Sequence, residues 1–359
     1  MLSVYMAMLK SAVSYLARGR RLPTWDIRLQ ATCDGLRHYT QLLFPIASDT
    51  DMHTLDFDQL HDWLQTHQMP STELPPTRGM DRKLEYELIA PWSVHEKHGT
   101  GGRELEPYPL SDSERVILFF HGGSYVAGSP IAYREPLGHL LGHLGTRAFV
   151  IDYRLAPRHP FPAQIHDALI AFSYLLGLGY KPHNIVLLGD SAGGHICLDL
   201  FLVLRHMSCG GGLHRLAAMV LLSPLPHLEI RGESLVGNAG LDYLISIPIS
   251  SPTMPLRLFY RPGAKCTAEY LRELEEPMLS PLNGSLAEFP PTIIQCGAAE
   301  LLVDDIRRLY EKLKADNPQD KPRIELEVYP DMVHMFHRFL FRAESKQAFQ
   351  AVAEFLEKV

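Results

Sequence analysis

The chain has 359 residues, of which 46% are hydrophobic and 21% charged, with a formal net charge of -7 at pH 7. A chain of this length can bury one large core. Apolar residues recurring throughout exclude disorder, and an acidic balance without a long basic block excludes nucleic acid as the partner. Cys33, Cys197, Cys209, Cys266 and Cys296 are odd in number, widely spaced and free of any C-x-x-C pair. That usage predicts neither a disulfide framework nor a metal site, and it points to a reducing, cytoplasmic compartment.

The first 75 residues are expected to form an N-terminal helical segment. Lys10, Arg18, Arg20 and Arg21 precede the first acid, Asp26, and Lys10 cuts the apolar run too short to span a bilayer. Leu2, Tyr5, Met6, Leu9, Val13 and Leu16 recur at helical spacing, which predicts a helix packed on the protein. Such a helix could touch a membrane surface, but that contact is not predicted. Leu60, Trp63 and Leu64 fall on one face of a further helix, and the Pro-, Ser- and Thr-rich stretch 70–77 has the composition of a linker.

Strands begin after it. Residues 83–88 alternate with period two, as in a half-buried strand. VILFF (116–120), AFVI (148–151), IVLLG (185–189), AAMVLLS (217–223) and TIIQC (292–296) are short continuous apolar runs, the pattern of parallel strands buried on both faces. Helical patterns fill the intervals at 134–145, 162–176, 194–206 and 303–315, and a last one covers 343–358. This alternation predicts an α/β fold with a mostly parallel central sheet flanked by helices, over residues 76–359. Residues 224–291 exceed what a plain crossover needs. An inserted cap is therefore expected at about 229–276, over the carboxyl ends of the strands.

Gly189-Asp190-Ser191-Ala192-Gly193-Gly194 follows an apolar strand and opens a helical run. G-x-S-x-G in that setting is a nucleophile elbow: the serine sits on a strained turn, so its neighbours two residues away must be small. His121-Gly122-Gly123-Ser124-Tyr125 follows another buried strand. Its glycines free the backbone N–H groups of Gly122 and Gly123 to join that of Ala192 as an oxyanion hole. Cys209-Gly210-Gly211-Gly212 lacks the lysine and hydroxyl of a phosphate loop, and Asn283-Gly284-Ser285 is a glycosylation sequon by pattern only.

HGGSY, then DYRLAPRHPFPA (152–163), then GDSAGG, together with SPL (280–282), PPTIIQCG (290–297) and Asp331-Met332-Val333-His334, resemble the hormone-sensitive-lipase-like, or fold-3, group of α/β-hydrolases. The likeness covers roughly residues 80 to 357. In the N-terminal segment it extends only to helical character, as in that family's cap. Ser124 stands where the family has a third glycine, and Arg158 where an acid is frequent. Asp152, Tyr153 and Asp190 are expected to support the site indirectly.

The resemblance implies a serine–acid–histidine triad in that chain order. His334, in a loop after IELEVY (324–329) and before the last helix, fits the base. His195 lies inside the helix after the elbow, where its side chain should project away from the serine. For the acid, Glu300 and Leu301 stand where the family begins with aspartate and proline, and glutamate can orient a histidine equally well. Asp304 remains an alternative, although acids at the start of a helix are explained by capping and the helix dipole. A carboxylate oxygen of Glu300 is expected roughly 2.6–3.2 Å from a ring nitrogen of His334. The expected activity is hydrolysis of a small to medium apolar ester through an acyl-enzyme, with no cofactor and no metal. An acyltransferase or a dehydratase or lyase could use the same site. A non-catalytic small-molecule receptor is a third possibility, but the gibberellin receptors of plants, which resemble this family, lack the catalytic histidine.

Overall fold

The computed structural model describes residues 2–18, 20–43, 84–91, 107, 109, 111–208, 212–244, 255–318 and 322–359. Seven strands form one sheet: β1 (Glu85–Ile89), β2 (Val116–Phe120), β3 (Arg147–Asp152), β4 (Ile185–Asp190), β5 (Ala218–Leu222), β6 (Thr292–Gly297) and β7 (Ile324–Tyr329). Their spatial order is β1-β3-β2-β4-β5-β6-β7. β1 runs antiparallel to β3, and every other pairing is parallel. The apolar runs are the parallel strands, and β2, β4, β5 and β6 are buried along their whole length. This is the α/β architecture expected from the sequence.

Ten helices accompany the sheet among the described residues: α1 (Leu2–Arg18), α2 (Ile27–Leu43), α3 (Arg134–Leu144), α4 (Ala163–Gly177), α5 (Ala192–Met207), α6 (Ser234–Gly237), α7 (Pro255–Tyr260), α8 (Ala268–Glu273), α9 (Val303–Asp316) and α10 (Ala343–Glu357). The pleat sends alternate residues to opposite faces. Leu118, Leu187 and Leu221 join a core with Ile165, Ile196 and Ile306 of α4, α5 and α9. Phe119, Leu188 and Val220 join a second with Leu137 of α3 and Val352 and Phe355 of α10.

The N-terminal segment docks through the start of α2. Trp25, Leu29 and Cys33 pack with Met332, Val333 and Phe336. The Trp25 indole N–H donates to the Asp331 carbonyl at 2.7 Å, and Arg342 pairs with Asp26 at 3.0 Å. Helix α1 packs on α2, but not with the face its periodicity suggested. Ser11 is buried at 5% exposure, whereas Met6, Leu9, Val13 and Leu16 are 47%, 59%, 58% and 77% exposed. The side of α1 that carries Ser11 is turned inward, and the apolar stripe is left outside. Among the described residues no helix is long and apolar enough to cross a membrane.

The helix expected around Leu60, Trp63 and Leu64, the 70–77 linker, and residues 209–211 of the glycine run lie outside the described residues. So do residues 245–254 of the expected insertion, whose described parts carry α6, α7 and α8. Asn283 of the sequon donates its amide to Glu275, at 3.0 Å to the carbonyl and 2.7 Å to the carboxylate.

Candidate active site

Ser191 sits between β4 and α5 with φ 53° and ψ -117°, a conformation that side chains other than glycine rarely adopt. The turn is too tight for neighbouring side chains. A Cβ on Gly189 would come within 2.3 Å of the Gly193 carbonyl oxygen, and one on Gly193 within 1.9 Å of that of Phe120. The end of β5 holds the elbow from the side: the Ser191 N–H donates to the Leu222 carbonyl at 2.9 Å, and the Leu225 N–H to that of Ser191 at 3.1 Å.

His334 lies in the loop after β7, with its Nε2 2.8 Å from the Ser191 hydroxyl. Both residues are buried. Gly297, ending β6, lets the Glu300 loop and the His334 loop pass closely, since a Cβ there would lie 2.1 Å from the Met332 carbonyl oxygen. Glu300 faces the other ring nitrogen: its Oε2 is 3.7 Å from His334 Nδ1. That is an ion-pair separation, longer than the hydrogen bond expected, because the same oxygen already accepts from the Ser223 hydroxyl at 2.7 Å and the Gly297 N–H at 3.2 Å.

Asp304 and Asp305 do not reach the histidine. Asp304 accepts the Ser234 N–H at 2.9 Å, and Asp305 accepts that of Arg231 at 2.9 Å, so both hold the inserted segment against the start of α9. His195 is likewise remote. It contacts the Tyr125 hydroxyl through Nδ1 and faces Asp199 at 3.4 Å through Nε2, and burial pushes its pKa down to about 3. Burial also opposes the charged form of His334, but the carboxylates of Glu300, Asp242 and Asp190 outweigh it and raise its pKa above the ordinary value.

The expected oxyanion donors differ in what they already do. The Gly122 N–H donates to Asp190 Oδ1 at 2.7 Å and lies 3.0 Å from the Tyr133 hydroxyl, so it is not free for a substrate oxygen. Gly123 and Ser124 follow with φ 126° and 53°, and among the described residues their N–H groups and that of Ala192 have no protein acceptor. The Tyr153 hydroxyl donates to the His121 carbonyl at 2.6 Å, beside the glycine loop.

Sequence reasoning missed three supports. Ser223, at φ 45°, receives the Met335 N–H at 3.1 Å while donating to Glu300, so it links the Glu300 loop to the His334 loop. Asn238 donates to the carbonyls of Ala298 and Glu300 at 3.0 and 2.9 Å. Asp242 accepts from the backbone of Leu301 and His334. The available signal was Asp242 itself, a lone acid within the apolar stretch 241–249.

A family model for the alpha/beta hydrolase fold matches residues 117–338. Together with this architecture and elbow, it defines the class: the chain belongs to the α/β-hydrolases, in the fold-3, hormone-sensitive-lipase-like group of carboxylic-ester hydrolases. It is 32% identical over 252 residues to an acetyl-hydrolase of Streptomyces hygroscopicus, spanning 69% of this chain and 77% of that one. It is 30% identical over 264 residues to an esterase of Acinetobacter venetianus, spanning 72% and 78%. Among solved structures, an esterase from the bacterial hormone-sensitive lipase family superposes with a TM-score of 0.59 at 31% identity, covering 90% of this chain and 97% of the other.

Proposed function

We propose that this carboxylic-ester hydrolase cleaves small to medium apolar esters through an acyl-enzyme on Ser191, with His334 as base and Glu300 as the acid of the triad. The single observation that carries this is the 2.8 Å approach of His334 Nε2 to the Ser191 hydroxyl. As Ser191 attacks the ester carbonyl, His334 takes its proton and hands it to the leaving alcohol; water then repeats the sequence on the acyl-enzyme. Glu300 fixes the tautomer with the proton on Nδ1 and favours the transient imidazolium. Gly123 and Ala192 remain the proposed oxyanion donors. With the Gly122 N–H engaged by Asp190, the Ser124 N–H takes the third place.

The N-terminal segment 1–75 and the insertion at about 229–276 would form the cap over the site. Support comes from the packing of Trp25 and Leu29 on the His334 loop and from the bonds of residues 231–242 to the Glu300 loop. The free thiols of Cys33, Cys197, Cys266 and Cys296 fit a reducing compartment such as the cytoplasm.

The test is a panel of esters of graded acyl length with the wild-type protein and Ser191→Ala, beside labelling by a fluorophosphonate. Turnover and labelling confined to the wild type are expected. Esterase activity retained by clean Ser191→Ala protein overturns the assignment, and an unreactive wild-type serine would leave a receptor.

A further inference from the structure

Asp242 is fully buried and comes from the insertion, not from the hydrolase sheet. Its Oδ2 accepts the Leu301 N–H at 2.8 Å and its Oδ1 the His334 N–H at 3.3 Å. One carboxylate thus binds the residue after the acid and the base itself. The same segment grips the acid loop from its carbonyl side. Asn238, whose carbonyl accepts the Asp242 N–H at 3.0 Å, donates to Ala298 and Glu300, and the Ser234 hydroxyl donates to the Leu301 carbonyl at 2.7 Å. The peptide group that follows Glu300 is therefore satisfied at both its carbonyl and its N–H by side chains of the insertion, which also reach the carbonyls of Ala298 and Leu301.

We propose that Asp242 is a positioning residue of the triad: its carboxylate locks the Glu300 loop to the His334 backbone, and its charge adds to that of Glu300 in favouring the imidazolium formed during proton transfer. This rests on the Ser191–Glu300–His334 assignment and gives the insertion a second task besides covering the site. Charge-assisted hydrogen bonds from two N–H donors hold a buried carboxylate in a fixed orientation, and small displacements of a reacting group are expensive in rate.

The groups around His334 separate the electrostatic part from the structural one. Glu300, Asp242 and Asp190 supply negative charge, and Arg338 interacts with Asp190 and Tyr243. Tyr243, 6.1 Å ring to ring from His334, is kept protonated by burial, with Asp242 adding to the effect. His337 is kept neutral by burial, its pKa pushed down to about 3. Replacing Asp242 by asparagine removes one of the three charges that favour the imidazolium. Replacing Asn238 by alanine loosens the same loop and removes none.

The experiment compares the wild type, Asp242→Asn and Asn238→Ala over a pH series with one ester, alongside Ser191→Ala. Asp242→Asn is expected to lower kcat by about 10- to 100-fold with KM within a few-fold, and to move the acidic limb of kcat/KM to lower pH. Asn238→Ala is expected to lower kcat with the acidic limb in place. Wild-type kcat and an unmoved limb in Asp242→Asn overturn the proposal, as does a loss confined to thermal stability. Should Asp242→Asn fail to fold, unchanged kcat in Asn238→Ala overturns it. Activity surviving in Ser191→Ala would instead sink the triad on which it rests.

Discussion

The Asp190 carboxylate accepts the backbone N–H of Gly122 at 2.7 Å, so the residue before Ser191 ties the glycine loop to the end of β4. Its second oxygen receives the Tyr133 hydroxyl at 2.8 Å. Asp190→Ala leaves the buried Tyr133 hydroxyl without its acceptor and the Gly122 N–H with only that hydroxyl, 3.0 Å away; an unmet buried group costs about 1–3 kcal/mol. The expected result is a lower urea midpoint together with a reduced kcat, because the neighbouring Gly123 loses its anchor. A variant with wild-type midpoint and turnover would deny the link.

Ser191→Ala and His334→Ala should be equally severe. Each is expected to lose at least about 1,000-fold in turnover, because the two act as one unit. His195→Ala should lose little activity, and chiefly stability, since it opens the buried Tyr125–His195–Asp199 contact. Steady-state kinetics and denaturation on the three proteins decide it; a larger kinetic loss in His195→Ala than in His334→Ala reverses the placing of the base.

Glu300→Gln keeps size but removes the charge facing His334 Nδ1. Turnover should fall by about 100-fold or more, with KM little changed. Asp304→Ala removes an acceptor for the Ser234 N–H and should cost about 1 kcal/mol of stability while kcat stays within a few-fold. If Asp304→Ala proved the slower enzyme, the acid would lie one turn further along the chain.

The pH profile follows from the raised pKa of His334. The base must be neutral to accept the serine proton, so kcat/KM should fall as pH drops through a midpoint above about 6.5, the ordinary histidine value. Glu300→Gln should move that midpoint down, because the imidazolium loses its nearest carboxylate. An acidic limb that stays in place in Glu300→Gln would separate the limb from His334.

Gly193→Ala tests the elbow. The added Cβ would meet the Phe120 carbonyl oxygen at 1.9 Å, far inside van der Waals contact, and the atom it meets is backbone in a buried strand. Loss of soluble, labelled protein is expected. Gly142→Ala, with open space around its Cβ and a place in α3, should be neutral or slightly stabilising. Equal behaviour of the two variants would refute the steric account.

Local pattern determined the sheet and the elbow at Ser191. Continuous apolar runs fit strands covered on both faces, and Gly189 is dictated by its approach to Gly193, four residues on. These are short-range facts that a sequence carries openly. His334 was legible for a related reason: a histidine between the last strand and the last helix arrives at the sheet edge where the elbow ends.

Tertiary structure alone decided the rest. The Gly122 N–H belongs to Asp190, 68 positions away, and no spacing rule announces that. The apolar stripe of α1 faces outward, because which side of a helix packs depends on the fit to α2 and not on hydrophobicity alone. Ser223 and Asp242 reach Glu300 and His334 across 77 and 92 positions. Hydrogen bonds of that reach depend on the chain being folded around them, so a single sequence names the proposed reacting groups but not the groups that hold them.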